Sequence, residues 1–195
     1  MTTRDKIVEA VFQDIQEKGF QGTRADKAVH PLGITKGALY HHFPNKHAIG
    51  YSVVDEIIAP QYINHWKMLV TYPGHPIDGI KAGINNLKKY YTQTTMRLGC
   101  PLNNLIQEMS PIDEGFRQRL QRIVDTMQRY IADSLRAGQR ADSIGPEVDA
   151  DQVAFFILSA IEGSYGIAKV KQSKSVFFSM LAQLEIYLDT LRSPT

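Results

Sequence analysis

Apolar residues recur along this chain at intervals of three and four, and glycine and proline residues separate the segments that show this spacing. That spacing is typical of amphipathic α-helices. No segment has the strict alternation of a half-buried strand, and neither an internal repeat nor a low-complexity segment is visible. The pattern therefore predicts an all-α fold of about nine helices.

Glycine and proline mark where these helices end. Gly19 predicts the end of the first helix, Gly99 the end of a helix over 77–98, and Gly138 the end of a long helix that starts near Phe116. Pro60 lies inside a helical pattern that runs to about residue 70, where a missing N–H predicts a bend near residues 56 to 60.

Residues 35–46 are the most informative stretch. Thr35 is suited to cap a helix start, Leu39 and Phe43 are four apart on one face, and Pro44 forbids continuation. The pattern predicts one short helix of about two turns. Asn45 is then suited to cap the helix that follows.

Two short helices are predicted around a tight turn in this region. Thr23 with Asp26 three residues later has the spacing of a capping box and predicts the start of the second helix. Residues 30–33 contain a proline and a glycine, and the next helix begins after Thr35. This order of elements predicts a helix-turn-helix.

The net charge of the chain is only +2, so the distribution of charge along the sequence is more informative than the total. No acidic residue lies between Asp26 and Asp55, whereas three lysines and four of the six histidines do. A local basic face is compatible with nucleic acid, although a solvated face without a partner has the same composition.

The segment Thr-Lys-Gly-Ala-Leu-Tyr-His-His-Phe-Pro-Asn-Lys over 35–46, preceded by Phe-Gln-Gly-Thr at 20–23, resembles the DNA-binding signature of the TetR family of transcriptional regulators. The resemblance covers about residues 4–50 and fixes a dozen positions in order. The departure His-Pro-Leu at 30–32 predicts that the second helix ends early. Further along, 99–105 is similar to a segment at the entrance to the ligand-binding region in one branch of the family.

The helix-turn-helix assigns roles to individual side chains. A recognition helix enters the major groove with its N-terminus first, which places Lys36 and Ala38 near base edges and gives Gly37 a role in close backbone approach. Thr35, Tyr40 and Lys46 are suited to phosphate contacts, and His41 is expected to face outward. The predicted DNA-binding residues are Thr35, Lys36, Gly37, Ala38, Tyr40, His41 and Lys46.

The resemblance implies a DNA-binding domain over 1–47 and a ligand-binding and dimerisation domain over 48–195. The run 153–161 is apolar on all sides and predicts a helix buried on two sides, followed by glycines suited to close helix approach. Paired with its copy and with the last helix, it predicts a four-helix homodimer interface. The interface residues are Phe155, Phe156, Ile161, Gly163, Phe177, Leu181, Leu184 and Leu188.

Cys100 is the candidate sensing residue of the second domain. Because Pro101 favours the first helical position, Cys100 is predicted to cap a helix, where free amides would favour an exposed thiolate; a small buried residue is the alternative. Polar and aromatic neighbours complete the predicted ligand site. Its residues are Cys100, Asn103, Asn104, Gln107, Trp66, Tyr62, Tyr91 and Met127.

The expected protein is a ligand-responsive regulator, in keeping with the family a repressor, that binds a pseudo-palindromic operator in double-stranded DNA as a homodimer. A small-molecule effector or modification of Cys100 would release it. The alternatives are a small all-α enzyme using Cys100 and an architectural DNA-binding protein without a ligand. No cofactor or metal is predicted, and the single cysteine and absence of a long apolar run predict a cytoplasmic protein without a membrane segment.

Overall fold

The computed structural model describes residues 1–193, and within that range it is built from α-helices with short 3₁₀ and π segments. The only β-pairing among these residues is an isolated antiparallel bridge between Ile144 and Arg192. The predicted all-α fold is confirmed. The helices are α1 (Thr3–Gly22), α2 (Ala25–Val29), α3 (Lys36–His42), α4 (Lys46–Val53), α5 (Ala59–Lys67), α6 (Pro76–Tyr90), α7 (Gln93–Leu98), α8 (Pro101–Met109), α9 (Glu114–Arg140), α10 (Ala150–Lys171) and α11 (Lys174–Asp189).

The chain forms two compact units. The head unit contains Met1–Gln61 and Pro101–Ile123, and the body unit contains Tyr62–Cys100 and the chain from Val124 onward. The head unit therefore includes α8 and the start of α9, whereas the domain predicted over 1–47 covers only its first part.

Gly19, predicted to end the first helix, instead interrupts it with φ 73° and ψ 169°, and α1 continues to Gly22. The prediction that Thr23 caps α2 is wrong. Its backbone N–H and its hydroxyl both donate to the carbonyl of Gly19, at 3.1 and 2.8 Å. Arg24 occupies the N-cap of α2 and makes no side-chain capping bond. Thr23 is the C-cap of α1: its backbone N–H makes the last i→i−4 hydrogen bond of that helix, and its hydroxyl adds a second donor to the same carbonyl.

The caps around α3 are confirmed. The hydroxyl of Thr35 accepts a hydrogen bond from the amide of Ala38 at 3.2 Å, and Oδ1 of Asn45 accepts from the amide of Ala48 at 2.9 Å. The early end of the second helix is also confirmed, since α2 stops at Val29 and a 3₁₀ turn over His30–Leu32 follows.

The chain departs from α-helical geometry just before Pro60, and the predicted bend over residues 56 to 60 stays a prediction. Val54–Ile58 form a π turn between α4 and α5, and the amide of Ala59 donates to the carbonyl of Val54. Pro60 has no N–H to donate to the carbonyl of Glu56. The backbone hydrogen bonds before it shift instead from the i→i−4 pattern of an α-helix to the i→i−5 pattern of a π turn.

Two predicted helix boundaries differ from the structure. The helix predicted over 77–98 divides at Tyr91, because Thr92 accepts a hydrogen bond from the amide of Thr95 and starts α7. Gly138 does not end α9, which continues to Arg140. A Cβ at Gly138 would lie 2.6 Å from Cδ1 of Ile144, so this glycine serves close packing of the following loop.

Helix α10 is long and apolar enough to cross a membrane by length and composition alone. In this fold one side of α10 is buried, with residues such as Ala154 and Ile157 fully enclosed. The prediction of burial on two sides is not met within one protomer, since Phe155 and Phe156 remain 44% and 50% exposed.

Candidate DNA-binding surface and buried polar cluster

Helix α3 turns its polar face outward because one apolar residue anchors it. Leu39 is fully buried, and Phe43 at the C-cap is 4% exposed. The predicted DNA-binding residues of this segment lie on the opposite side. Thr35, Lys36, Gly37, Tyr40 and His41 are exposed and Ala38 is half-buried.

Gly37 has no internal reason to be glycine. A Cβ at this position would meet only the hydroxyl oxygen of Thr35, at 3.9 Å, which is ordinary contact. A glycine within the first turn of a helix lowers helix stability relative to alanine. Packing within the described structure therefore does not require glycine at this position.

Lys46 is half-buried rather than free on the surface. Its Nζ donates to the carbonyl of Gln21 at 3.1 Å and lies 4.7 Å from the ring centroid of Phe20. Burial lowers the pKa of Lys46, and nearby Glu108 and Asp14 oppose that shift. Lys46 thus has a structural role in the head unit, and its phosphate contact stays a prediction.

Glu108 of α8 holds the end of α1. Its two carboxylate oxygens accept hydrogen bonds from the backbone amides of Phe20 and Gln21, each at 2.8 Å. A Cβ at Gly19 would lie 2.8 Å from Oε2 of Glu108. Glycine at this position therefore leaves room for the carboxylate and also permits the positive φ of the turn. Sequence analysis missed Glu108, because no local spacing links residues 88 positions apart.

In the body unit, Cys100 lies in a buried polar cluster. The residue is 2% exposed, and its Sγ lies 3.0 Å from the hydroxyl of Tyr62. A second hydrogen bond joins its thiol to the carboxyl group of Glu162. The exposed thiolate expected at this position is wrong, because tertiary packing encloses the sulfur and sets it beside an acid.

Glu162 is the unexpected member of this cluster. Burial raises the pKa of Glu162 to about 7, and the hydrogen bond with Cys100 acts in the opposite direction. Its Oε2 is shielded from solvent and has no hydrogen-bond partner among residues 1–193. Burial also raises the pKa values of Tyr62 and Tyr165, with Cys100 and Glu162 contributing to both shifts.

Three aromatic rings pack together, and one of them is Tyr165 of this cluster. Tyr91 stacks on Phe177 with centroids 4.0 Å apart, and Tyr165 packs on the same phenylalanine at 4.7 Å. The hydroxyl of Tyr91 is buried and, like Oε2 of Glu162, has no partner in the described part of the chain. Burial raises the pKa of Tyr91.

The other predicted ligand residues divide between the two units. Trp66 and Met127 are buried in the body unit, and Trp66 packs on Gly83, where a Cβ would approach its ring to 2.8 Å. Asn103, Asn104 and Gln107 belong to the head unit, where Nε2 of Gln107 donates to Oδ1 of Asn103 at 3.4 Å.

Sequence analysis missed Glu162 and Tyr165. The available indication was that Glu162 is the one charged residue between Asp151 and Lys169. Burial of such a carboxyl group costs free energy unless a hydrogen-bond donor or a positive charge pairs with it.

A crevice of about 710 Å³ lies elsewhere in the body unit, between the start of α6 and the end of α9. None of the predicted ligand residues lines it. His75 in its wall is already hydrogen-bonded to the carbonyl of Ser143 at 3.1 Å.

The predicted dimer residues fall on two sides of their helices. Five of them fill the core of their own protomer and have no surface to offer a partner: Ile161, Phe177, Leu181, Leu184 and Leu188. The remaining three are exposed, and they continue along α10 into residues that sequence analysis missed. This apolar stripe consists of Phe155, Phe156, Gly163, Gly166, Ile167 and Val170.

Comparison with known proteins finds matches to two family models. Residues 7–49 match the model "Bacterial regulatory proteins, tetR family", and residues 76–184 match "Tetracyclin repressor-like, C-terminal domain". The chain is 27% identical over 179 residues to an HTH-type transcriptional regulator in the lacX 3′ region of Lactococcus lactis subsp. lactis, covering 91% of this chain and 88% of that protein.

Two further similarities support the same conclusion. The HTH-type transcriptional repressor DhaR of Mycobacterium sp. (strain GP1) is 24% identical over 174 residues, covering 88% of this chain and 84% of that protein. A TetR transcriptional regulator from Chloroflexus aurantiacus has the same fold, with a TM-score of 0.86 at 23% identity and coverage of 98% and 97%. These proteins are regulators, so the enzymatic alternative built on Cys100 is set aside. The chain belongs to the TetR family and is a DNA-binding transcriptional regulator.

Proposed function

We propose that this protein is a cytoplasmic, homodimeric repressor that binds a pseudo-palindromic operator and leaves it when a small-molecule effector is present. The single observation that carries the DNA-binding part is the exposed face of α3, where Gly37 has no packing role. Two copies of α3 must stand about 34 Å apart, or a multiple of that distance, to occupy successive major grooves.

Within α3, the side chains divide by the part of DNA that they meet. Lys36 is exposed near the N-terminus and is suited to a base edge, with the methyl of Ala38 suited to a thymine. Thr35, Tyr40 and His41 are exposed around it and are suited to phosphates. Lys46 supports the head unit and adds positive charge.

The apolar stripe of α10 supports the homodimer. Ile167 and Val170 are 48% and 82% exposed, and a Cβ placed on Gly163 or Gly166 would meet no atom within 4 Å, so the stripe is open along its length. A second copy of the same helix has the matching surface that a two-fold interface requires. Glycines in the stripe permit close approach of the two backbones.

The buried cluster of the body unit supports an effector response through binding beside Cys100, and modification of its thiol is the alternative trigger that burial disfavours. Cys100 is covalently joined to Pro101, the first residue of α8. Helix α8 carries Glu108, which holds the amides of Phe20 and Gln21 in the head unit. An effector that prefers one position of α8 would thereby shift the population of heads competent for the operator.

The test uses an operator selected from the organism's own genomic DNA, with a scrambled duplex for comparison. Gly37→Ala should weaken operator binding at least tenfold by placing a methyl at the DNA contact, while thermal stability stays equal or increases by up to about 1 kcal/mol. Lys36→Ala should lower both affinity and preference for the operator, by about 1–3 kcal/mol.

Fluorescence anisotropy at several salt concentrations is the measurement, and Lys67→Ala in the body unit is the exposed-lysine control. Unchanged operator affinity in both α3 variants would contradict the proposed function. Loss of affinity with equal loss of folding stability would instead show a structural role for these positions.

A further inference from the structure

Two buried oxygen atoms of the body unit lack partners within residues 1–193. They are Oε2 of Glu162 and the hydroxyl of Tyr91. Buried polar groups in native proteins are nearly always paired, and leaving one unpaired costs free energy. Glu162 and Tyr91 both act electrostatically on Tyr165, which places the three groups in one neighbourhood.

The hydrogen bonds around Glu162 hold its carboxyl group in a defined direction. An ionised carboxylate only accepts, so the thiol of Cys100 donates to it, and the sulfur accepts from the hydroxyl of Tyr62 at 3.0 Å. These two hydrogen bonds do not involve Oε2, which has no hydrogen-bond partner among the described residues. Among the described residues, no basic side chain accounts for the negative charge of Glu162.

Aromatic surface lies beside this carboxylate. Tyr165 follows Glu162 by three positions on α10 and therefore shares its face. Tyr165 packs against Phe177, which stacks on Tyr91. Aromatic faces attract cations through the ring quadrupole, and a carboxylate attracts them by charge.

We propose that Glu162 is the anionic recognition group for an effector that carries a small organic ammonium group, with Tyr91, Tyr165 and Phe177 as the aromatic surface around it. This assignment rests on the proposed effector response and names the chemical class of its ligand. An ammonium N–H donates to Oε2 of Glu162 and supplies the missing charge. A carboxylate ligand would meet like charge, and an alcohol would supply a donor without charge.

Binding of a cation has a consequence for protons. The pKa of Glu162 is about 7, so the carboxyl group is partly protonated at neutral pH, and a bound cation favours the ionised form. Ammonium binding should therefore release a proton and tighten between pH 6 and pH 8. The groups that face this carboxyl from the surrounding elements are Cys100, Tyr62 and Tyr165.

Isothermal titration calorimetry of the full-length protein without DNA tests the assignment with benzylammonium, benzyltrimethylammonium, benzyl alcohol and benzoate. Benzylammonium should bind most tightly, because it has both charge and N–H donors, and benzoate should bind least. Glu162→Gln should weaken benzylammonium about ten- to hundredfold and remove the pH dependence. Glu147→Gln, an exposed carboxylate in the same unit, should leave both unchanged.

Three results would overturn the assignment: equal affinity for benzylammonium and benzyl alcohol, no binding of any probe, or unchanged affinity in Glu162→Gln. Tyr91→Phe provides a second variant, since loss of its hydroxyl should weaken benzylammonium without changing the pH dependence. Operator binding by the same preparations, measured without probe, reports on the proposed function separately. Intact operator binding with no ammonium binding would reject only the ligand class.

Discussion

At the scale of single residues, burial of the Glu162 carboxyl group opposes folding at pH values where this group must ionise. Its carboxyl group is enclosed by Cys100 and tyrosines, and burial raises its pKa from 4.5 to about 7. A carboxyl group whose pKa is higher in the folded state than in the unfolded state lowers the free energy of unfolding when it ionises. The contribution of Glu162 to the free energy of unfolding is therefore fully present below about pH 4.5 and is lost as the pH rises through about 7.

Replacement of Glu162 by glutamine should remove this dependence. A shift from 4.5 to about 7 corresponds to about 3 kcal/mol, so Glu162→Gln should be more stable than wild type by up to that amount at pH 8. At pH 4.5 the two proteins should be nearly equal. Urea unfolding across this pH range measures the difference, and parallel stability curves for the two proteins would contradict the expectation.

The reactivity of Cys100 distinguishes noncovalent binding of an effector from covalent modification of the thiol. The thiol is 2% exposed and hydrogen-bonded to a carboxyl group, and both conditions disfavour a reactive thiolate. Iodoacetamide should alkylate Cys100 at pH 7.5 at least tenfold more slowly in the folded protein than in urea. Mass spectrometry over time is the measurement. Alkylation at the unfolded rate, with loss of operator binding that Cys100→Ser resists, would favour the covalent trigger.

At the scale of elements, the contact between α8 and the end of α1 is the feature that local sequence could not reveal. Glu108 satisfies two backbone amides at a break where the helix has no acceptors of its own. The break itself depends on Gly19, since φ 73° is unfavourable for any residue with a Cβ.

Removal of the Glu108 carboxylate should destabilise the head unit. Glu108→Ala leaves the amides of Phe20 and Gln21 without their partner, at a cost of about 1–3 kcal/mol. Glu114→Ala removes an exposed acid of α9 and should lower the free energy of unfolding much less. Chemical denaturation measures both. Hydrogen exchange at Phe20 and Gln21 should accelerate only in Glu108→Ala, and equal protection in both variants would contradict the proposed role.

At the scale of the whole molecule, the proposed homodimer depends on the apolar stripe of α10. Val170 is 82% exposed and continues a stripe with Phe155, Phe156 and Ile167, which are 44%, 50% and 48% exposed. Desolvation of a charge in a dry interface costs several kcal/mol.

A charge in this stripe should dissociate the dimer. Ile167→Glu and Val170→Glu should each raise the dimer dissociation constant at least a hundredfold while leaving helical content unchanged, because both side chains are exposed in the protomer. Ile112→Glu is the matched control, because Ile112 is an apolar residue of the head unit whose exposure of 59% lies between those of Ile167 and Val170. Sedimentation equilibrium decides the outcome, and a wild-type protein that stays monomeric at micromolar concentration would refute the interface.

The sequence by itself determined the helices and the DNA-binding segment, because the information for both is local. Helical periodicity, the caps at Thr35 and Asn45, and the break at Gly19 depend on residues within a few positions of one another. The exposed face of α3 followed from the burial of Leu39 one turn from its capped start.

Only the tertiary structure decided which side chains meet across long stretches of chain. Periodicity showed that α10 and α11 are apolar, but a helix that is apolar on all sides does not reveal which side enters its own core. Phe177 and Leu184 therefore proved to be core residues, while Ile167 and Val170 lie on the surface. The meeting of Tyr62, Cys100 and Glu162, and the hold of Glu108 on α1, likewise depend on packing between distant segments, which no local spacing encodes.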